Sequence, residues 1–209
     1  MADYQYIYSM QGVGKVVANK KEILKDIYLS FLPGAKIGVL GLNGSGKSTI
    51  LKLLMNMVKP QKGSIFIDSY KVDELDVSSI LTYVHQDDHI FNDDYKKNVT
   101  LYNAYNINEL EKSFTKLNSL DKLRHAVNCQ KLSGGEKQIV SYMRAILKNT
   151  DIVLMDEPFS SVDTVTEEHL LRQVLESSKT IILVTHKVTV PMQVLKFQEM
   201  NLNFYSEEV

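Results

Sequence analysis

Gly41-Leu42-Asn43-Gly44-Ser45-Gly46-Lys47-Ser48-Thr49 follows the short apolar run Lys36-Ile37-Gly38-Val39-Leu40 and precedes Ile50, Leu53, Leu54 and Met57, spaced i, i+3, i+4, i+7. The run reads as a buried strand, and the spaced residues as one face of a helix that stops near Pro60. The nine residues between them fit G-x-x-x-x-G-K-[ST], a loop that holds nucleotide phosphate when a strand enters it and a helix leaves it. Its glycines let successive backbone N–H groups turn toward one anion, and the helix adds unpaired N–H groups and its positive dipole end. Gly41, Asn43, Gly44, Ser45 and Gly46 are therefore the cradle. Lys47 is placed to reach the β- and γ-phosphates, Ser48 to ligate Mg²⁺, and Thr49 to touch the α-phosphate. The odds of a chance match in a chain of this length are about one in a hundred.

A second apolar run, Ile152 to Met155, ends in Asp156-Glu157-Pro158. A continuous apolar run is the pattern of a parallel strand buried on both faces, so the two acids emerge at its C-terminal end, where open α/β sheets bind ligands. Successive strand side chains point to opposite faces, which divides the work. Asp156 goes to Mg²⁺ and Glu157 to the attacking water as general base. Pro158 is expected to hold Glu157 extended.

Strand-like and helix-like segments alternate along the rest of the chain, which predicts an α/β fold with a mainly parallel sheet. Tyr4 to Ser9 and Ile27 to Leu32, with no helix between them, read as antiparallel strands at one edge. Ser64 to Asp68, Ile80 to Val84 and Thr180 to Val184 are further strands, and Leu170 to Leu175 lies in a helix. From about Tyr95 to Gln130 the chain turns Asn- and Lys-rich and carries one amphipathic segment, Ile107, Leu110, Phe114 and Leu117. This is a short helical insert, about 95–148 with the following helix included, inside one domain spanning 1–209. The 209 residues are 44% apolar and 23% charged, enough apolar surface for a core. A net charge of −1 excludes a broad basic field for nucleic acid, so no DNA partner is expected. The lone Cys129 makes no internal disulfide and fits a reducing compartment. Neither a secretory leader nor an apolar run of the roughly 20 residues a membrane span needs is evident, so the chain reads as cytoplasmic. His85 and His89, four apart in a segment that reads as a loop, are set aside as metal ligands.

Leu132-Ser133-Gly134-Gly135-Glu136 separates this chain from other phosphate-loop proteins. Ser133 and Glu136 form a capping box for an amphipathic helix bearing Ile139, Met143, Ile146 and Leu147. A cap does not need two glycines, each costing a helix about 1 kcal/mol, so they suggest a second anion site at a helix N-terminus. With this motif the chain resembles the ABC ATPase family, over nearly its whole length and in the family's motif order. The resemblance implies a phosphate-loop (RecA-like) core with an N-terminal antiparallel β subdomain. It implies Gln86 as the Q-loop residue near Mg²⁺ and the attacking water, Ser160-Ser161-Val162-Asp163 as the D-loop, and His186 as the switch histidine at the γ-phosphate. It also implies two ATP molecules sandwiched head to tail between two domains. Ser133, Gly134, Gly135 and Glu136 of one domain then meet the nucleotide held by the other. The adenine-stacking side chain is Tyr8 or Val17, with Met10 near the same place.

Some features depart from that family. Phe159 stands where a small residue is usual, Ile139 where many relatives carry Arg, and the tail after Lys187 lacks the usual acidic strand-turn pattern. Residues 1–56 resemble ABC-F translation factors of the energy-dependent translational throttle type. The remainder, with Gln86-Asp87-Asp88-His89-Ile90-Phe91-Asn92-Asp93, resembles exporter nucleotide-binding domains, which suggests a composite chain joined near Asn56 to Pro60. The expected activity is ATP hydrolysis by the motor domain of an exporter-type transporter, at the inner face of the cell membrane and docked on a membrane-spanning subunit. The alternatives are a soluble ABC-F-like fragment that binds ribosomes, disfavoured by the single domain without a charged linker, and an ATP-binding domain with little turnover.

Overall fold

A computed structural model of the chain describes residues 6–16, 22–42, 44–108, 114, 120–186, 192–198 and 201–207, the last two stretches by backbone alone. The first strands, β1 (Tyr8–Val16) and β2 (Glu22–Phe31), pair antiparallel. Ile27, Leu29 and Phe31 are buried and alternate with exposed Tyr28 and Ser30, the period of a half-buried strand. Three register shifts interrupt the ladder, with an extra residue near Gly12 (φ 59°) on β1, one near Asp26 (φ 47°) on β2 and one between Glu22 and Leu24 on β2. Each adds one residue, so together they let Val13, Leu24 and Ile27 all face inward. These bulges are why periodicity alone blurs here, and why the observed strands run longer than expected.

β3 (Lys36–Gly41) leads through the glycine-rich turn into α1 (Lys47–Leu54). The helix ends earlier than its spacing suggests. Asn56 adopts a left-handed conformation (φ 56°), its N–H bonds to the Leu53 carbonyl, and the Met57 N–H reaches back to the Lys52 carbonyl. That is a Schellman stop. Met57, expected on the buried face, lies beyond it and is 66% exposed.

Next come β4 (Lys62–Ile67), β5 (Tyr70–Lys71), the single turn α2 (Val77–Ile80) and β6 (Leu81–Val84). The helical insert follows with α3 (Tyr95–Thr100) and α4 (Leu120–Arg124). Of its expected amphipathic face, Phe114 is buried and Ile107 half-buried, while Leu110 and Leu117 lie outside the described residues. α5 (Gly134–Leu147), β7 (Ile152–Asp156), α6 (Thr164–Glu176) and β8 (Thr180–Val184) complete the core. The tail nonetheless forms two strands, β9 (Met192–Gln198) and β10 (Asn201–Glu207).

The strands make two sheets. One is antiparallel, in the order β2-β1-β4-β5. The other has the order β10-β9-β3-β8-β7-β6 and is parallel from β9 to β6, with β10 antiparallel at its edge. The parallel sheet is buried on both faces, and its alternation shows it. Ile152, Leu154, Ile182 and Val184 join one apolar cluster with α1 and the antiparallel sheet. Val153, Met155, Ile181 and Leu183 join another with the helical insert, α5 and α6. Among the described residues no helix is long and apolar enough to cross a membrane.

Leu51 is fully buried in the cluster between α1 and the two sheets. Leu51→Ala is expected to cost about 2–5 kcal/mol of stability, read as a lower urea midpoint with an unchanged slope.

Candidate functional site

Register places the site. Val39 is paired with Val184, Val184 with Asp156, and Met155 with Val84, so the C-terminal ends of β3, β8, β7 and β6 lie level on one edge. The segments that leave those ends carry Gly41 to Thr49, His186, Glu157 and Gln86. Four stretches far apart in sequence thus open onto one edge of the sheet.

A cleft of about 160 Å³ on this edge is lined by Leu42, Gly44, Gly46, Lys47, Ser48, Thr49, Glu157 and Ile23. Gly46 has φ 108°, and a Cβ there would lie 2.7 Å from Ile23 Cγ2, so conformation and space both demand glycine. Gly46 also starts α1 without any side-chain cap, and no acid occupies the first turn. The N–H groups of that turn therefore remain available to an anion. Ser45 Oγ is buried with no hydrogen-bond partner. Lys47 is 6% exposed, and its ammonium donates to the Gly41 and Leu42 carbonyls of the loop itself. Uncapped donors, an orphaned hydroxyl and a sequestered cation together suit a polyphosphate. Asn43 lies outside the described residues.

Asp156 ends β7, and its Oδ2 accepts a hydrogen bond from the Tyr83 hydroxyl at 3.3 Å. Burial, and after it the negative charge of Asp156, push the Tyr83 phenol well up, so it remains a protonated donor. Ser48, Asp156 and Gln86 offer the oxygen ligands that Mg²⁺ prefers.

Glu157 departs from its expected extended conformation. Its φ is 48°, a left-handed geometry that costs a non-glycine residue about 1–3 kcal/mol. Its N–H still donates to the Val184 carbonyl at 2.9 Å, so the ladder runs one residue past the strand before the chain turns. The turn brings Glu157 Oε1 to 2.8 Å from His186 Nε2. The carboxylate is thereby fixed at the cleft by a residue 29 positions away.

The signature segment is built as a cap. Ser133 Oγ accepts from the Glu136 N–H at 3.3 Å, and Glu136 Oε2 accepts from the Ser133 N–H at 2.9 Å. Glu136 Oε1 also pairs with Lys122 Nζ at 2.6 Å. Burial opposes ionisation of Glu136, but the Lys122 and Ser133 bonds outweigh it and hold the carboxyl below its ordinary range. With both oxygens engaged, Glu136 shapes the turn and is not turned toward a ligand. Ser133 and Gly134 are exposed. Gly135 is fixed by packing, since a Cβ there would lie 2.5 Å from the Ser161 carbonyl oxygen. This contact, unforeseen in the sequence, explains one of the two glycines without an anion.

Tyr8 is not an adenine contact. It is 2% exposed, tilted against Phe31 at 6.3 Å between ring centroids, and buried so deeply that it presents no face to a nucleotide. Met10 is buried as well. Val17 lies outside the described residues. The apolar side chains that line the cleft are Leu42 of the loop itself and Ile23, which the sequence marks only by its nearness to the β1–β2 connection.

A parallel sheet with a glycine cradle between β3 and α1 and acids at the adjoining strand ends is the architecture of a phosphate-loop NTPase. The ABC transporter family model matches residues 24–160, and the chain belongs to that family. Nucleotide-binding domains of ABC transporters are ATPases that use ATP with Mg²⁺. The chain is 35% identical over 188 residues to the multidrug resistance-like ATP-binding protein MdlA of Buchnera aphidicola subsp. Schizaphis graminum, covering 82% of this chain and 32% of that one. It is 32% identical over 221 residues to the energy-dependent translational throttle protein EttA of Haemophilus influenzae, covering 87% of this chain and 39% of that protein. It is also similar to a bacterial Atm1-family ABC exporter solved with ATP bound, at a TM-score of 0.83 and 27% identity over 94% of this chain and 38% of the other. Both branches suggested by the sequence are therefore represented, and each alignment extends across the Asn56 to Pro60 region. The chain spans less than two-fifths of the length of these relatives.

Lys47→Ala removes the cation of the cradle. A charged hydrogen bond contributes about 1.5–3 kcal/mol, so titration with a fluorescent ATP analogue should show roughly tenfold or greater loss of affinity.

Proposed function

We propose that this chain hydrolyses Mg-ATP as the motor domain of an exporter-type ABC system, pairing head to tail with a second such domain around two nucleotides. The observation that carries this reading is the 2.8 Å contact between His186 Nε2 and Glu157 Oε1 beside a cleft that Glu157 shares with Lys47 and Ser48. An imidazole N–H donated to one carboxylate oxygen orients Glu157 and leaves its other oxygen to accept a proton from water. The water oxygen bonds to the γ-phosphorus as the bond to the β–γ bridging oxygen breaks, giving ADP and phosphate. Lys47 and the α1 N-terminus stabilise the charge that develops on the phosphate oxygens. Ser48, Asp156 and Gln86 would hold Mg²⁺, which would supply further neutralisation of charge on the phosphates. Gly41, Asn43, Gly44, Ser45, Gly46 and Thr49 complete the grip on the nucleotide.

The exposed signature turn supports the second domain. Gly134 and Gly135 offer helix N-terminal N–H groups beside the exposed Ser133 hydroxyl, suited to the phosphate held by another copy or a related domain. The exporter relatives support a membrane-spanning partner and a position at the cytoplasmic face of the membrane. The throttle-type relatives support a second reading, a soluble ABC-F-like factor. Co-sedimentation with ribosomes would select it, and co-purification with a membrane-spanning subunit would select the first.

Glu157→Gln should keep ATP affinity and lower the steady-state hydrolysis rate by about 10²–10⁴-fold, the usual contribution of a positioned base. An undiminished rate removes Glu157 from that role, and a parent rate indistinguishable from buffer selects an ATP-binding domain with little turnover.

Ser133→Arg should leave binding to the single chain unchanged and abolish ATP-driven pairing, measured by light scattering with Mg-ATP in the Glu157→Gln background. Pairing that persists in this variant would exclude the signature turn from the interface.

A further inference from the structure

Gln138 lies where three of the segments described above meet. It stands on α5 three residues after Gly135 and is 8% exposed. Its Nε2 donates to the Gln86 carbonyl at 3.2 Å and to Ser160 Oγ at 2.9 Å, and its Oε1 accepts the Ser161 N–H at 2.9 Å. Both amide protons and the carbonyl oxygen are thus engaged. The partners belong to different parts of the sheet edge: Gln86 follows β6, while Ser160 and Ser161 follow β7. Gly135 packs on the same Ser161 from one turn earlier on the helix. The first turns of α5 therefore hold Ser160 and Ser161 at two points and reach Gln86 through the same amide.

The chemistry of this arrangement is that of a connector. Gln138 is buried while Gln86, Ser160 and Ser161 are exposed, so shifting any one segment leaves part of the Gln138 amide unpaired away from water. Gln138 itself does not line the phosphate cleft. We propose that Gln138 is a positioning residue that couples the Gln86 segment, the 157–163 turn and the N-terminal turns of α5, so that they move as one body when the site closes. This rests on the paired-domain reading above for its catalytic consequence, but the coupling itself is a property of the single chain.

Two variants test it. Gln138→Met keeps length and stem volume but removes all three hydrogen bonds. Gln138→Glu still accepts from the Ser161 N–H and, with the bond direction reversed, can accept from the Ser160 hydroxyl, but it cannot donate to the Gln86 carbonyl. Amide hydrogen exchange on the single chain should be several-fold to tenfold faster in peptides spanning both 84–92 and 157–163 of Gln138→Met, with the 41–50 peptide unchanged. Gln138→Glu should restore protection in 157–163 and leave 84–92 fast. In turnover, Gln138→Met should lose about tenfold in kcat with KM for ATP within twofold of the parent. Acceleration of only one segment, or of neither, overturns the coupling. So does a parallel change in the 41–50 peptide and in KM, which would mark general loosening of the fold. If the Glu157→Gln chain with native Gln138 stays monomeric in Mg-ATP, the paired-domain reading fails, while the exchange result still decides the coupling.

Discussion

The alignment of four parallel strand ends is the constraint on which the site depends. Val39, Val184 and Asp156 lie in one row across β3, β8 and β7, with Met155 and Val84 one rung away. A shift of one residue in any strand would exchange its two faces as well as its end, because each strand is buried on both sides. Val153 and Met155 face one apolar cluster while Ile152 and Leu154 face the other. The register that fills both clusters is therefore the register that brings Glu157 to His186. Packing and chemistry are not separate specifications in this sheet.

Around that row the chain uses backbone geometry that would be unfavourable elsewhere. Glu157 accepts a left-handed conformation directly after a regular strand, and its N–H keeps the last rung with Val184. The strain turns the carboxylate off the strand axis and separates it from Asp156, which remains on the strand and accepts from Tyr83. The two acids are placed apart, and their separation arises from a turn as well as from strand alternation. Strain held by its surroundings at such a position is the pattern of a functional site.

The motifs were legible because each combines composition with spacing. Gly41 to Thr49 and Ile152 to Glu157 announce both their secondary structure and their chemistry. The capping box at Ser133 and Glu136 was visible for the same reason, and the structure forms it in both directions. Long-range relations were not legible. Nothing local in the sequence shows that Gly135 must clear the Ser161 carbonyl, or that one glutamine side chain spans Gln86 and Ser160. The adenine contact failed for a related reason: Tyr8 and Met10 sit in the regular part of the β1–β2 ladder and both face the core, and nothing local in the sequence shows which face of β1 the sheet buries. The tail is a different case: it lacks the family's acidic strand-turn pattern, yet β9 pairs in parallel with β3. Backbone pairing asks less of side-chain pattern than burial does.

Phe159 and Ile139, two of the departures from the family pattern, are explained by one another's neighbourhood. Phe159 is buried and meets Tyr142 edge-on at 5.2 Å, and Tyr142 in turn meets Phe114 of the insert at 5.9 Å. Ile139 belongs to the same apolar cluster, adjacent in sequence to Gln138. A chain of three rings thus runs from the helical insert, through α5, to the turn that begins at Glu157. A small residue at 159 would leave a void under that turn, and a cation at 139 would need a partner within the cluster. The aromatic contacts anchor the 157–163 turn from below while Gln138 and Gly135 hold it from the side. The loops at the sheet edge are therefore set on a packed support, and the substitutions that look like deviations from a pattern are the groups that build it.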